Sequence, residues 1–313
     1  MNNCTTQMDK NQKVLHCGSV AIVGRPNTGK STLLNNILEE KVSIVTSVAQ
    51  TTRYKIKGIL TDERGQIVFI DTPGMHRPKT RMGSCLLRQI DEAIVECDLI
   101  IHLVDVTEAP GKGENSVIEK IKNSNVAIIL GLNKIDLKSV FLDNYIKLWE
   151  EVKGKKTQDM TQDFILMPLS ALKGTNVDKL VETIFLHLPQ SPLLYPKDIV
   201  SDFPQRLVIA DIIREKLFSV MHKEIPYSLA VYIDEMQPRS NKLIYIRAVI
   251  LVERDSQKAI VIGKEGQVLK TIGQQARIEI EALLERKIFL ETQVKVKVNW
   301  QDDPFILRQL AFL

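Results

Sequence analysis

Five apolar runs, at residues 20–23, 67–70, 99–104, 126–132 and 164–169, constrain the fold of this chain more than any other feature. They are apolar along their length rather than alternating, and helical patterns separate them. Such runs make strands buried on both faces, which occur in parallel sheets covered by crossover helices. Residues 55–61 and 66–70 flank Asp62-Glu63-Arg64-Gly65, which adds one antiparallel strand at an edge. The expected fold over residues 18–188 is therefore α/β, a mostly parallel sheet with one antiparallel edge strand. Ligands on such sheets bind beyond the carboxyl ends of the strands, and the polar motifs of this chain fall there.

The first run leads into Gly24-Arg25-Pro26-Asn27-Thr28-Gly29-Lys30-Ser31-Thr32 and a helix predicted over 31–39. The pattern is that of a P-loop, in which backbone N–H groups cradle a phosphate chain. Lys30 reaches the terminal phosphates and the Ser31 hydroxyl ligates Mg²⁺. Asp71-Thr72-Pro73-Gly74 ends the second run; its carboxylate can hold Mg²⁺ through water, and the Gly74 N–H can donate to a γ-phosphate. Asn133-Lys134-Ile135-Asp136 closes the fourth run. The Asp136 carboxylate suits the N1–H and 2-amino donors of guanine, which adenine lacks. Asn133 is expected to hold the loop and meet the Hoogsteen edge, and the Lys134 stem to cover a base face. Ser170-Ala171-Leu172 follows the fifth run, with the Ala171 amide placed to donate to guanine O6. Between them lies Gln50-Thr51-Thr52-Arg53, where one threonine is expected to reach Mg²⁺ only when a γ-phosphate is present. Thr52 is the first candidate and Thr51 stays open.

Residues 188–196 hold three prolines and read as an interdomain linker, extending over 189–204. Beyond it the expected order over 205–313 is α-β-β-α-α-β: an amphipathic helix at 205–222, strands at 227–236 and 242–253, helices at 257–262 and 267–285, and a last strand at 294–298. At its centre Ile262-Gly263-Lys264-Glu265-Gly266 forms a GxxG turn between two helices, the device by which a KH domain brings backbone close to single-stranded RNA. Arg254, Lys258, Lys264, Lys270 and Arg277 make a local basic patch on a near-neutral part of the chain, residues 201–313, with 17 Lys/Arg and 15 Asp/Glu. Glu265 inside the turn should weaken phosphate contact. Lys295 and Lys297 read as a solvated strand face, and Trp149 and Trp300 as core or rim.

The five nucleotide-facing segments in this order resemble a translation-factor-type GTPase domain, and their details resemble the Era group of bacterial GTPases. Gln205-Arg206, residues 212–217, Glu224-Ile225-Pro226-Tyr227-Ser228, residues 250–254 and residues 294–298 carry the resemblance to the chain's end. It implies GTP and GDP as ligands with Mg²⁺, and a type II KH domain that binds the 3′ end of small-subunit ribosomal RNA. It further implies a role in small ribosomal subunit maturation, as a monomer in the cytoplasm with possible association at the inner membrane's cytoplasmic face. Met75 stands where related enzymes place a water-orienting glutamine. The wider family's remedy is a P-loop asparagine, here Asn27, that helps hold a K⁺. The expected catalytic set is thus Asn27, Lys30, Thr52 and Gly74, with Ser31, Thr52 and Asp71 at the metal. Two alternatives remain: an RNA-binding module whose hydrolysis is incidental, and a tRNA-modification GTPase of the same wider family.

Composition narrows the rest. At 313 residues, with 44% apolar and 26% charged residues and a net charge of +4, the chain suits about two soluble domains. No run of 18 apolar residues suggests a membrane span, and residues 1–17 read as a polar tail without a signal peptide. The four cysteines, Cys4, Cys17, Cys85 and Cys97, lack metal-ligand spacing and suit reduced thiols, with Cys17 buried. His76 is read as part of a mobile switch and not as a base.

Overall fold

The structure is a computed structural model that describes residues 14–46, 48, 51–75, 78–138, 140–160 and 163–313. The tail over 1–13 with Cys4, and also Gln50 and His76, lie outside the described residues. The first domain runs β1 (His16–Val23), α1 (Lys30–Leu38), β2 (Ile56–Asp62), β3 (Gly65–Asp71), α2 (Arg81–Glu96), β4 (Leu99–Asp105), α3 (Lys112–Ile121), β5 (Ala127–Asn133), α4 (Leu142–Lys153), β6 (Phe164–Leu169) and α5 (Val177–His187). Its six strands take the order β2-β3-β1-β4-β5-β6, and only the β2–β3 pair is antiparallel. The expected edge hairpin is therefore present.

Successive strand residues point to opposite faces, and the apolar runs fill both. Val20, Ile22, Phe69 and Ile101 pack under α1 and α5. Ala21, Val23, Ile100, Ile128 and Leu130 pack under α2, α3 and α4, where Trp149 is fully buried. Because all the parallel strands run the same way, the loops bearing the motifs gather along one edge of the sheet.

The segment after α5 is strapped to the first domain. The buried side chain of Gln66 donates to the Tyr195 carbonyl and accepts from the Leu194 and Tyr195 amides, and Ile59 N donates to the Val200 carbonyl at 2.8 Å. Prolines suit this path, since an extended chain laid along a sheet edge needs few donors of its own.

The second domain comprises α6 (Gln205–Val220), a short α7 (Ile225–Ser228), β7 (Ala230–Ser240), β8 (Leu243–Val252), α8 (Asp255–Ile262), α9 (Gln267–Leu284), β9 (Lys287–Val296) and α10 (Pro304–Gln309). Its sheet has the order β7-β8-β9, antiparallel then parallel. The expected α-β-β-α-α-β order holds, with three differences. The short helix α7 takes Tyr227 and Ser228, so the first strand begins at Ala230 rather than Tyr227. The last strand begins at Lys287 rather than Val294, because Ile288 and Val294 bury against the helices while polar residues alternate between them, diluting the apolar signal. The helix α10, unanticipated, is capped by Asp303, whose carboxylate accepts from Phe305 N at 2.9 Å.

One face of this sheet carries α6, α8 and α9. The other meets the first domain: Ala230, Tyr232, Val249 and Leu251 pack with Tyr54, Ile56, Met82 and Leu86, closed by Trp300, Ile306, Leu307 and Phe312. Cys17, Cys85 and Cys97 are buried free thiols. Among the described residues no helix is long and apolar enough to cross a membrane.

Candidate nucleotide site and RNA-facing turn

The strand ends enclose a cavity of about 400 Å³, within the size range of small-molecule sites. Asn27, Gly29, Lys30, Ser31 and Thr32 line it from the P-loop, with Thr52, Gly74, Asn133, Lys134, Asp136, Ala171 and Leu172 from the other loops. Gly24, Thr28, Asp71 and Ser170 lie behind it. Gly24 and Thr28 lend backbone carbonyls, and Ser170 Oγ accepts from Lys173 N to set its loop. Ile44, Val45 and Thr46 also line the cavity without having been anticipated; no charge or motif marks them. Asn35 holds that loop by accepting from Val42 N and Ser43 N and donating to the Ser43 carbonyl.

Gly29 has φ +99°, and a Cβ there would lie 2.4 Å from Asn133 Nδ2, so only glycine fits. Lys30 Nζ donates to the carbonyls of Gly24 at 3.3 Å and Arg25 at 2.8 Å. Burial pushes its ammonium down to about 8, against the opposing pull of Asp71 and Glu114.

The floor is a cluster of oxygens. Ser31 Oγ lies 2.8 Å from Thr52 Oγ1 and donates to Asp71 Oδ2 at 2.7 Å; Ser43 Oγ donates to the same oxygen at 3.0 Å. Asp71 is fully buried, burial pushes its carboxyl up, and its Oδ1 has no hydrogen-bond partner. An orphaned carboxylate oxygen beside two hydroxyls fits a hard divalent cation such as Mg²⁺. Both Thr51 and Thr52 line the cavity, but their hydroxyls bond differently. Thr52 joins this cluster, while Thr51 Oγ1 turns away to the Val48 carbonyl at 2.6 Å and to Thr46 Oγ1 at 2.7 Å.

Asn133 is a clamp between two loops. Its Nδ2 donates to the Thr28 carbonyl at 2.7 Å and its Oδ1 accepts from the Ala171 amide at 2.8 Å. Asn133 thereby holds the loops together as expected, while its Nδ2 keeps a second N–H and its Oδ1 a second lone pair on the amide. The Ala171 N–H, bonded to Asn133, reaches a guanine O6 by sharing its hydrogen. Asp136 stands exposed at the cavity mouth, and the Lys134 ammonium pairs with Asp105. Burial raises the Asp105 carboxyl, yet Lys134 and Thr107 outweigh it and hold the group below the ordinary range.

A second network, unseen in the sequence, fixes the P-loop from behind. Arg25 Nε lies 2.7 Å from Glu114 Oε2, and Arg25 Nη2 donates to Tyr145 Oη at 2.8 Å. Glu114 Oε1 lies 2.7 Å from His102 Nε2, and Trp149 Nε1 donates to His102 Nδ1 at 3.1 Å. An indole N–H can only donate, so the ring proton of His102 sits on Nε2 and points at Glu114. Met75 is buried in the same half of the core, with its amide on the Gly24 carbonyl, and offers nothing to an attacking water.

In the second domain α8 ends at Gly263 (φ +74°), where a Cβ would lie 2.3 Å from Val268; Glu265 and Gly266 also have positive φ. Nothing lies within 4 Å of a Cβ built at Gly266, so the backbone there is open to a ligand. Lys264, Glu265 and Lys270 are exposed around the turn and Ile262 is half-buried. Arg277 is not at the turn: eleven residues along α9 carry it about 16 Å away, and it pairs with Glu281 at 3.0 Å.

This fold and this pocket define a P-loop GTPase to which a KH-type domain is docked. Comparison with known proteins agrees. Residues 19–134 match the family described as 50S ribosome-binding GTPase, and residues 224–301 match the KH domain family. The structure of an Aquifex aeolicus Era variant bound to GDP·AlF₄⁻ is 39% identical, with 95% of this chain and 99% of that one covered and a TM-score of 0.86. Era in complex with MgGDPNP and nucleotides 1506–1542 of 16S ribosomal RNA is also 39% identical at the same coverage, with a TM-score of 0.87. The chain belongs to the Era family of GTPases.

Proposed function

We propose that this GTPase is a K⁺-assisted, Mg²⁺-dependent switch that binds small-subunit ribosomal RNA near its 3′ end and assists maturation of the small subunit. The observation that carries the switch is the hydrogen-bonded cluster of Ser31, Thr52 and Asp71 at the pocket floor, where Asp71 keeps a second, unpartnered carboxylate oxygen. Support for the RNA comes from the exposed Gly263–Gly266 turn and from the related Era structure that holds 16S ribosomal RNA. On this reading the chain is a cytoplasmic monomer that touches the inner membrane only peripherally.

P-loop amides and Lys30 bind and orient the phosphates. Asp136 selects guanine, because a base without its donors leaves the carboxylate unpaired. Gly74 offers its amide to the γ-phosphate, and Thr52 lets go when that phosphate leaves. When bound, Mg²⁺ and K⁺ supply positive charge against the transferring phosphoryl group. Asn27, in the cavity with φ +62°, is the residue assigned to K⁺.

The test is single-turnover GTP hydrolysis in K⁺ and in Na⁺, with and without a single-stranded oligonucleotide of the rRNA 3′ end, on the natural chain and on Gly263→Asp/Gly266→Asp. Faster turnover in K⁺ is expected for both proteins, and RNA binding only for the natural chain. Equal rates in the two salts would remove the K⁺ role; unchanged RNA affinity in the double variant would remove the KH assignment.

A further inference from the structure

The segment that brings Thr52 to the pocket is held from the other domain. The Thr51 carbonyl accepts from Arg214 Nη2 of α6 at 2.7 Å. Arg53 donates from Nη1 to the Leu229 carbonyl at 2.8 Å and from Nη2 to the Pro226 carbonyl at 3.2 Å, with its guanidinium 5.9 Å from the centre of the Trp300 ring. Asp211 pairs with Arg214 at 2.9 Å. Arg53, Arg214 and Asp211 are each less than 5% exposed. At the start of the same loop, Lys41 bridges to Glu215 of α6 and Glu279 of α9. Nothing in phosphoryl transfer requires these contacts.

The cluster is poised. Two guanidinium groups are buried near one carboxylate, and only Arg214 pairs with it directly. The excess charge is tolerated because three backbone carbonyls accept the guanidinium protons. Those acceptors exist as a set only while segment 51–53 and the KH domain are docked. Releasing the segment returns Arg53 to water and takes the Thr51 carbonyl from Arg214, so a ligand that holds the segment favours the clamped arrangement.

We infer that Arg53 and Arg214 are positioning residues for the triphosphate state: by clamping the residues on either side of Thr52 to the KH domain, they make domain docking part of the discrimination between GTP and GDP. A γ-phosphate with its metal holds Thr52 from the pocket side, and the two arginines hold its neighbours from the other. Linkage makes the effect reciprocal, so whatever holds Thr52 also holds the KH domain in this pose. GDP does not engage Thr52 and gains nothing from the clamp. The inference rests on the magnesium role proposed for Thr52.

The test compares full-length natural chain, Thr52→Ala, Arg53→Met and Asp211→Asn/Arg214→Met; the last removes both charges together, so neither is left buried alone. Dissociation constants for GDPNP and GDP are measured by calorimetry with and without Mg²⁺. With Mg²⁺, each arginine variant is expected to lose about fivefold or more in GDPNP affinity relative to GDP, with GDP affinity unchanged. Without Mg²⁺ the loss should vanish. Arg53→Lys, which keeps the charge but reaches only one carbonyl, should fall between, and it replaces Arg53→Met if that variant does not fold. If Thr52→Ala lowers the GDPNP preference and the arginine variants do not, the clamp is refuted while the site reading stands. If Thr52→Ala changes nothing, the site reading fails and takes the inference with it. Equal loss for both nucleotides also overturns the clamp, since it marks general damage.

Discussion

At the residue scale the most consequential group is Lys30. Its ammonium is buried and pushed down to about 8, held only by two carbonyls of its own loop. Phosphate oxygens favour the charged form, so the bound-state value lies above the free one. The sign follows: above pH 8 binding takes up a proton, and affinity falls as pH rises through about 8. Calorimetric titration of GDP at pH 9 in two buffers of different ionisation enthalpy should report uptake of close to one proton, and identical heats would contradict this. Arg25 offers a second case. Removing it leaves the Glu114 carboxylate fully buried beside His102, which should cost about 3 kcal/mol. The double variant Arg25→Met/Glu114→Gln should recover most of that in urea denaturation; two equally unstable variants would show that Arg25 acts by packing alone. Lys30 was legible in the sequence because the P-loop pattern is local. The Arg25–Glu114 pair was not, because its partners lie 89 residues apart and no spacing rule links them.

At the scale of elements, the loops at the strand ends are set by one another. Asn133 at the end of β5 ties the P-loop to the loop after β6, and Gly29 leaves just enough room for it. Gly29→Ala should break this clamp and lower GDP and GTP affinity together, measured by fluorescence titration. A variant that binds both as tightly as the natural chain would show that the loops hold their places alone. The motif made Asn133 a loop holder and a candidate contact for the base; which loops it holds became visible only when three of them were in place. The GxxG turn behaves differently. Its glycines and flanking helices carry the conformation within a dozen residues, so it could be read directly, whereas Arg277 was misplaced because a basic patch in sequence is not a patch in space.

For the molecule as a whole, the apolar seam between the domains decides the behaviour. Trp300 is fully buried there, donating from Nε1 to the Ser228 carbonyl at 2.8 Å and packing near Arg53. Trp300→Ala should cost about 3–5 kcal/mol and separate one thermal transition into two, followed by differential scanning calorimetry. A single transition at the natural midpoint would mean that the seam does not couple the domains. Residues 189–204 were expected to be a linker; Gln66 straps Leu194 and Tyr195, and the pairing of Val200 and Ser201 with edge strand β2 makes the segment also an edge cover.

The two domains, the element order and most of the nucleotide motifs were determined by the chain's local chemistry. Apolar periodicity, glycine conformation and short-range spacing act over a few residues and survive in the sequence. Which threonine hydroxyl meets Ser31, what Asn133 bonds to and how Arg53 and Arg214 tie the residues flanking Thr52 to another domain were decided only by tertiary structure. Each depends on which buried donors and acceptors meet across distant segments, and desolvation makes those meetings obligatory only once the core has closed.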